Sequence, residues 1–344
     1  MMSSRAVEDD VSSRLNAHAT AIGHNEGLAA RVAAVYAARY EAGLNAEQIR
    51  LVETTHGGFL CGGSALAPAD KVRFAAIDAR LGALSVESDH HVLAATGAWI
   101  LNFDAEDLAG LPPSLRDAVA GRVTAREAPG RYHVTLDRSA YESFLTYSAR
   151  RDRREQLWRA FTNRCDSDVY DNWPLISETL ALRRERATLL GYADYVHYAL
   201  EDRMAHTATT ANALLMQLWQ PGKRRAIEEA AELQSQIDEK GGGFVLAPWY
   251  WRYYAERVRR SRYALDGTAV AQHLRLDALR QAAFETAEKR YGLRFVRRAD
   301  IAGYHPDVIC PLLIGPETMI VWTTKGALNA DQEAQAGRDY REAA

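Results

Sequence analysis

Cysteine is scarce in this chain of 344 residues. Cys61, Cys165 and Cys310 stand far apart with no CxxC spacing, which excludes a disulfide framework and suits a reducing, cytoplasmic setting. Long apolar runs are missing too. No stretch approaches the roughly 18 residues that a membrane-crossing helix needs. The opening MMSSRAVEDDVSSRLNAH has no apolar core of a secretory signal. Nor is there an excess of one charge. Lys and Arg total 42 against 45 Asp and Glu, a net charge of −3, so the basic surplus of a nucleic-acid binder is lacking. The remaining composition, 47% hydrophobic and 25% charged, is that of a globular chain able to bury a core.

Helical periodicity dominates what is there. Leu28, Val32, Val35 and Tyr36 form one apolar stripe that stops near Gly43. Asn45 with Gln48 three residues on predicts a capping box opening the next helix. The run HGGFLCGGSALAPAD reads as a loop or a broken helix end. From Ala69 a long helical pattern continues towards Ala95. Between about 98 and 137 the texture changes, and WILNF and RYHVTL predict two short strands around a small helix, LRDAVAGRV. Helices then resume over YESFLTYSA, RREQLWRAFTNR and WPLISETLALRRERATLL, the last ending at Gly191. Thr207 is placed to cap another long helix, within which Pro221 predicts a kink or a split, and Gly241–Gly243 end it. Two more helices are expected around Trp249–Arg262 and Leu274–Tyr291, then two strand-like pieces and a polar, alanine-rich tail. The fold class is mainly α with a small β insertion. The expected organisation is a flexible segment over 1–27, a helical body over 28–308 and a divergent, partly disordered tail over 309–344.

Catalytic motifs are few. A zinc-hydrolase helix carries histidines at i and i+4 so that both imidazoles share one face, yet no histidine of the ten has another four residues on, and HExxH does not occur. His197 with Glu201 is the best remaining helical pair, with His206 near in sequence; an ordinary hydrogen-bonding role is the simpler reading. His90 and His91 are adjacent and diverge by about 100° on a helix. There is no GxSxG elbow around Ser64 and no GK[ST] after the glycines near Phe59. Cys165 lies beside Arg164, a setting that can lower a thiol's pKa, although a lone cysteine is usually structural. Three arginine clusters stand out: Arg150, Arg151, Arg153, Arg154; Arg183, Arg184, Arg186; and Arg257, Arg259, Arg260, Arg262. Interleaved acids favour solvated helix faces, with an anion site as the alternative. The aromatic block Trp249, Tyr250, Trp251, Tyr253 and Tyr254 reads as core.

Three segments, DNWPLISETLALRRERATLLGYADYVHYALEDRMAHT, GGGFVLAPWYWRYYAERVRRSRYALD and YGLRFVRRADIAGYHPDV, resemble the bacterial peptidyl-dipeptidases (dipeptidyl carboxypeptidases). These belong to the thimet oligopeptidase and neurolysin family of zinc peptidases. The resemblance runs from about Leu28 to Val308. It implies a helical lobe of a two-lobed oligopeptidase, whose intact members hold zinc on the floor of a deep channel and trim dipeptides from oligopeptide C-termini. Tyr250 stands where that pattern usually has aspartate, and Glu87 and His90 depart from a less charged helix. After Val308 the sequence ICPLLIGPETMIVWTTKGALNADQEAQAGRDYREAA has no counterpart in the family. No catalytic, cofactor-binding or metal residue of the family can therefore be placed on any position here. The resemblance thus implies a chain truncated before the zinc motif, inactive alone and needing no cofactor. Oligopeptides are the expected partners, with self-association through an exposed lobe face, and neither nucleic acid nor membrane. The alternatives are a non-catalytic peptide-binding or subunit-pairing module, and a peptidase with an unorthodox site around His197, Glu201 and His206.

Overall fold

A computed structural model describes residues 4–113, 115–116, 132–166, 168–263, 270, 273–297, 311–314 and 319–321. Segment 1–27, expected to be flexible, holds helix α1 (Ser4–Gly23). Asn25 caps α2 (Glu26–Ala37) by accepting from the Leu28 amide at 2.9 Å. Asn45 and Gln48 close their reciprocal capping box on α3 (Ala46–Cys61) at 2.9 and 3.0 Å. Of the two readings of the glycine-rich run, the helix end is the one the structure has: it is helical as far as Cys61. Each helical glycine costs about 1 kcal/mol relative to alanine, a penalty the capped helix absorbs. The chain turns only at Gly62 and Gly63, the latter with φ +84.

Helix α4 (Pro68–Ala98) begins with proline in its first turn, where the missing amide is harmless, and with Asp70 favourably placed near the helix's positive end. Its buried residues Phe74, Ile77 and Leu84 share one face. Strands β1 (Ile100–Phe103) and β2 (Tyr132–Thr135) pair antiparallel, Ile100 opposite Thr135 and Phe103 opposite Tyr132, as the β-rich runs predict. Most of the small helix expected between them lies outside the described residues. Helices α5 (Arg138–Tyr147) and α6 (Arg151–Thr162) close over β2, with Val134, Leu136, Tyr141, Phe144, Leu145 and Leu157 buried together.

Helix α7 (Trp173–Leu189) runs antiparallel to α4, since Ser88 meets Asn172 while Arg73 meets Glu185. A short α8 (Tyr195–Leu200) follows. Thr207 caps α9 (Ala208–Glu239), as predicted. This helix continues unbroken through Pro221, contrary to a split. The surrounding turns are exposed, so water can satisfy the carbonyl that loses its donor. Leu233 and Ile237 near the end of α9 pack with Tyr250 and with Tyr254 of α10 (Trp251–Tyr263), making the aromatic block a second core.

Residues Asp9–Arg262 form one compact unit. A second comprises 1–8 and 263–344. Within the latter, α11 (Leu276–Tyr291) ends at Gly292, φ +67, and leads into a sheet ordered β3 (Arg294–Arg297), β4 (Pro311–Ile314), β5 (Met319–Val321), antiparallel throughout. The two strand-like pieces of the terminal stretch are thus β4 and β5; the tail beyond 321 lies outside the described residues. Among the described residues no helix is long and apolar enough to cross a membrane.

Candidate functional site

A groove of about 700 Å³ is walled by α1, α4 and α7. Two bidentate ion pairs hold its long walls together: Arg73 on Glu185, both contacts 2.6 Å, and Arg80 on Glu178, both 2.7 Å. At one end Asn172 donates to Ser88 Oγ at 3.1 Å, and its side-chain oxygen meets His91 Nδ1 at 2.7 Å. The third wall, α1, brings the Asn16 side chain against Gly82. A Cβ there would stand 2.5 Å from Asn16 Nδ2.

The other end is charged. Arg186 and Asp78 pair at 3.1 Å, both about a quarter exposed, and Arg186 also donates to the Tyr198 hydroxyl at 3.1 Å. Burial pushes the Asp78 carboxyl above its ordinary value, with Arg186 and His24 pulling it back. Arg183 stacks over Tyr195 at 5.1 Å. The groove's middle is lined by Leu81, Leu84, Ile176 and Leu180.

The residues singled out in the sequence do not converge there. His197 Nδ1 contacts Asp194 at 2.8 Å, and the same aspartate caps α8. The Glu201 carboxylate accepts from the Tyr192 hydroxyl and from Cys61 Sγ, the latter at 3.6 Å. His206 Nδ1 contacts the Glu201 backbone carbonyl at 3.3 Å. Each candidate ligand is engaged separately, and among the described residues no group of three His, Cys, Asp or Glu could hold a metal. Zinc does not fit this arrangement. Burial, then the negative Glu201, pushes the Cys61 thiol above its ordinary range, which makes it a poor nucleophile at neutral pH. Cys165 sits at φ 58, and Cys310 lies outside the described residues.

The first arginine cluster holds the fold together more than it forms a solvated face, whereas Arg183, Arg184, Arg257, Arg260 and Arg262 are exposed as expected. Arg150 and Arg153 both pair with buried Asp107. Arg154 is fully buried, donates to the Ser148 carbonyl at 2.5 Å and lies 4.1 Å over the Tyr253 ring, with burial pulling its pKa down. Arg259 and Arg260 share Glu256, and Arg262 reaches Glu232. Reading along the chain missed Asp78 and the groove. The one available signal was the match of Arg73 and Arg80 on one long helix with Glu178 and Glu185 on another.

Residues 144–312 match peptidase family M3. The dipeptidyl carboxypeptidase of Salmonella typhimurium is 33% identical over 305 residues, which cover 88% of this chain and 45% of that protein. The chain belongs to peptidase family M3. Oligopeptidase A of Escherichia coli is 29% identical over 300 residues, covering 86% and 44%. Probable cytosolic oligopeptidase A of Arabidopsis thaliana is 29% identical over 262 residues, covering 74% and 37%. This M3 chain therefore spans less than half the length of the curated relatives it matches. The family match takes in α7, the arginine-bearing wall of the groove; α1 and α4 precede it.

Proposed function

We propose that these 344 residues are a peptide-handling, non-hydrolysing portion of an M3 peptidase of the dipeptidyl carboxypeptidase type, working in the cytoplasm. The observation that carries the reading is the match over 305 residues to a dipeptidyl carboxypeptidase in a sequence without HExxH. In that motif the histidines hold zinc, and the glutamate acts as base towards water. Among the described residues no cluster offers a replacement: His197 and Glu201 are tied to Asp194 and to Tyr192 with Cys61. The scarcity of cysteine supports the reducing compartment.

The test is hydrolysis of a quenched oligopeptide with a free C-terminus, with added zinc and with chelator, alongside metal content by mass spectrometry. We expect no chelator-sensitive turnover and no stoichiometric zinc. Chelator-sensitive turnover that follows the purified chain would overturn the reading.

A second feature supports pairing with another polypeptide or with a second copy. Leu214, Leu215, Leu218 and Trp219 of α9 are all more than half exposed. Light scattering across a concentration series should show self-association that the double substitution Leu218→Ser, Trp219→Ser reduces.

A further inference from the structure

A second cavity, of about 550 Å³, lies where α5, α6 and α10 meet, and it shares no lining residue with the groove. Its size is that of a small-molecule site. Helix α10 supplies one face: Trp251, Arg252, Ala255, Glu256 and Arg259 recur at three- and four-residue intervals and so stand on one side. Helix α5 adds Tyr141 and Leu145, one turn apart, and α6 adds Trp158. The walls are largely aromatic and apolar, yet two donors within them are unused. Tyr141 is only 7% exposed, with its ring stacked on Phe161 at 3.8 Å. Among the described residues its hydroxyl has no hydrogen-bond partner. A polar group so enclosed calls for an acceptor. Burial holds the phenol above its ordinary value, so it stays protonated and able to donate.

Arg252 is the charge that acts most strongly on this phenol, so the two donors converge. Its Nη2 donates to Glu142 at 3.0 Å, on an oxygen that also accepts from Arg138 at 3.1 Å. Its Nε and Nη1 have no acceptor among the described residues. Glu256, the one carboxylate among the described lining residues, is already held by Arg259 at 2.7 and 2.8 Å and by Arg260 at 2.7 Å. Flat aromatic walls suit a planar apolar ring, and a guanidinium beside a hydroxyl suits a planar anion. We infer that this cavity binds a small aromatic carboxylate, its ring against Trp158 and Trp251 and its carboxylate on Arg252 and the Tyr141 hydroxyl. A doubly charged phosphate is poorly served by one guanidinium and a phenol. A zwitterionic amino acid would bring its ammonium among arginines, with Glu256 already engaged. The inference stands apart from the peptide-handling reading and does not need it.

The experiment is isothermal titration of the intact chain with cinnamate and with its uncharged amide, cinnamamide. Cinnamate is expected to bind about tenfold more tightly, the worth of hydrogen bonds to a charged group. Arg252→Gln and Tyr141→Phe should each weaken cinnamate by about tenfold and hardly alter the amide. Trp251→Ala, on the ring wall, should weaken both ligands. Tyr141→Phe keeps the stack on Phe161, and half-exposed Arg252 gives up one surface ion pair, so circular dichroism should show both variants folded. Equal binding of cinnamate and cinnamamide would overturn the inference. So would cinnamate binding that survives both Arg252→Gln and Tyr141→Phe, because the ligand would then lie elsewhere. No binding of cinnamate at millimolar concentration would overturn it as well.

Discussion

Placing alanine at Gly110 tests the packing described above most sharply, because a matched control exists within the same chain. Gly110 has φ +85, and a Cβ there would stand 2.4 Å from the Tyr147 carbonyl oxygen and 3.0 Å from the Ala149 amide nitrogen. Both are backbone atoms at the junction of α5 and α6, so no side-chain rotation can relieve the clash. The neighbouring Ala109 carbonyl accepts from the Ala149 amide at 2.9 Å, and opening the junction breaks that bond. The left-handed conformation costs a non-glycine residue about 1–2 kcal/mol, overpacking adds about 1–3, and the lost hydrogen bond adds about 1. Gly110→Ala should therefore destabilise by about 3–6 kcal/mol on these terms. Gly191 shares φ +85 but has nothing within 4 Å of its notional Cβ, so Gly191→Ala should cost only the conformational term, about 1–2 kcal/mol. Urea unfolding followed by tryptophan fluorescence reads the difference as separated midpoints. Equal losses for the two variants would show that the close approach at Gly110 does not exist.

Two further outcomes follow from other sites. Cys61 and Tyr192 are both held above their ordinary values of 9.0 and 10.0, burial being the first cause and Glu201 contributing to each. The protonated forms are thus favoured in the fold, so the stability they supply is complete below about pH 9 and is lost as pH rises beyond those ordinary values. Glu201→Gln should flatten that alkaline decline and speed iodoacetamide labelling of Cys61 at pH 8 several-fold; an unchanged labelling rate, mapped by peptide mass, would contradict the assignment. In α9, Pro221→Ala restores a missing amide donor in an exposed helix, where proline costs up to about 3 kcal/mol. Amides around 217–222 should then exchange at least tenfold more slowly, and unaltered exchange would mean that the helix already frays there.

Local chemistry was readable directly from the residues, and tertiary chemistry was not. The Asn45–Gln48 box, the Thr207 cap and the β1–β2 pair depend on residues a few positions apart or on strong composition, and the structure has them. The glycines before Cys61 and Pro221 left alternatives open because a single breaker states a penalty but not whether a long helix overrides it. The arginine clusters show the opposite difficulty. Arg154 looks like a surface residue among its neighbours, yet its burial is decided by Tyr253, ninety-nine positions away. The groove needs α1, α4 and α7 together, and no periodicity along one segment announces that meeting. The family resemblance, carried by 171–308, pointed to the helical architecture and is matched by the comparison over 144–312.

The ion pairs along α4 and α7 also act as a ruler. Arg73 and Arg80 are seven residues apart, and so are Glu178 and Glu185. A slip of one helix past the other by a single turn would leave all four charges facing the wrong neighbours, whereas a full two-turn slip would still strand one arginine and one glutamate. Only one alignment engages both pairs. The placing of the groove's two long walls against each other is therefore held by four charges that do not line it.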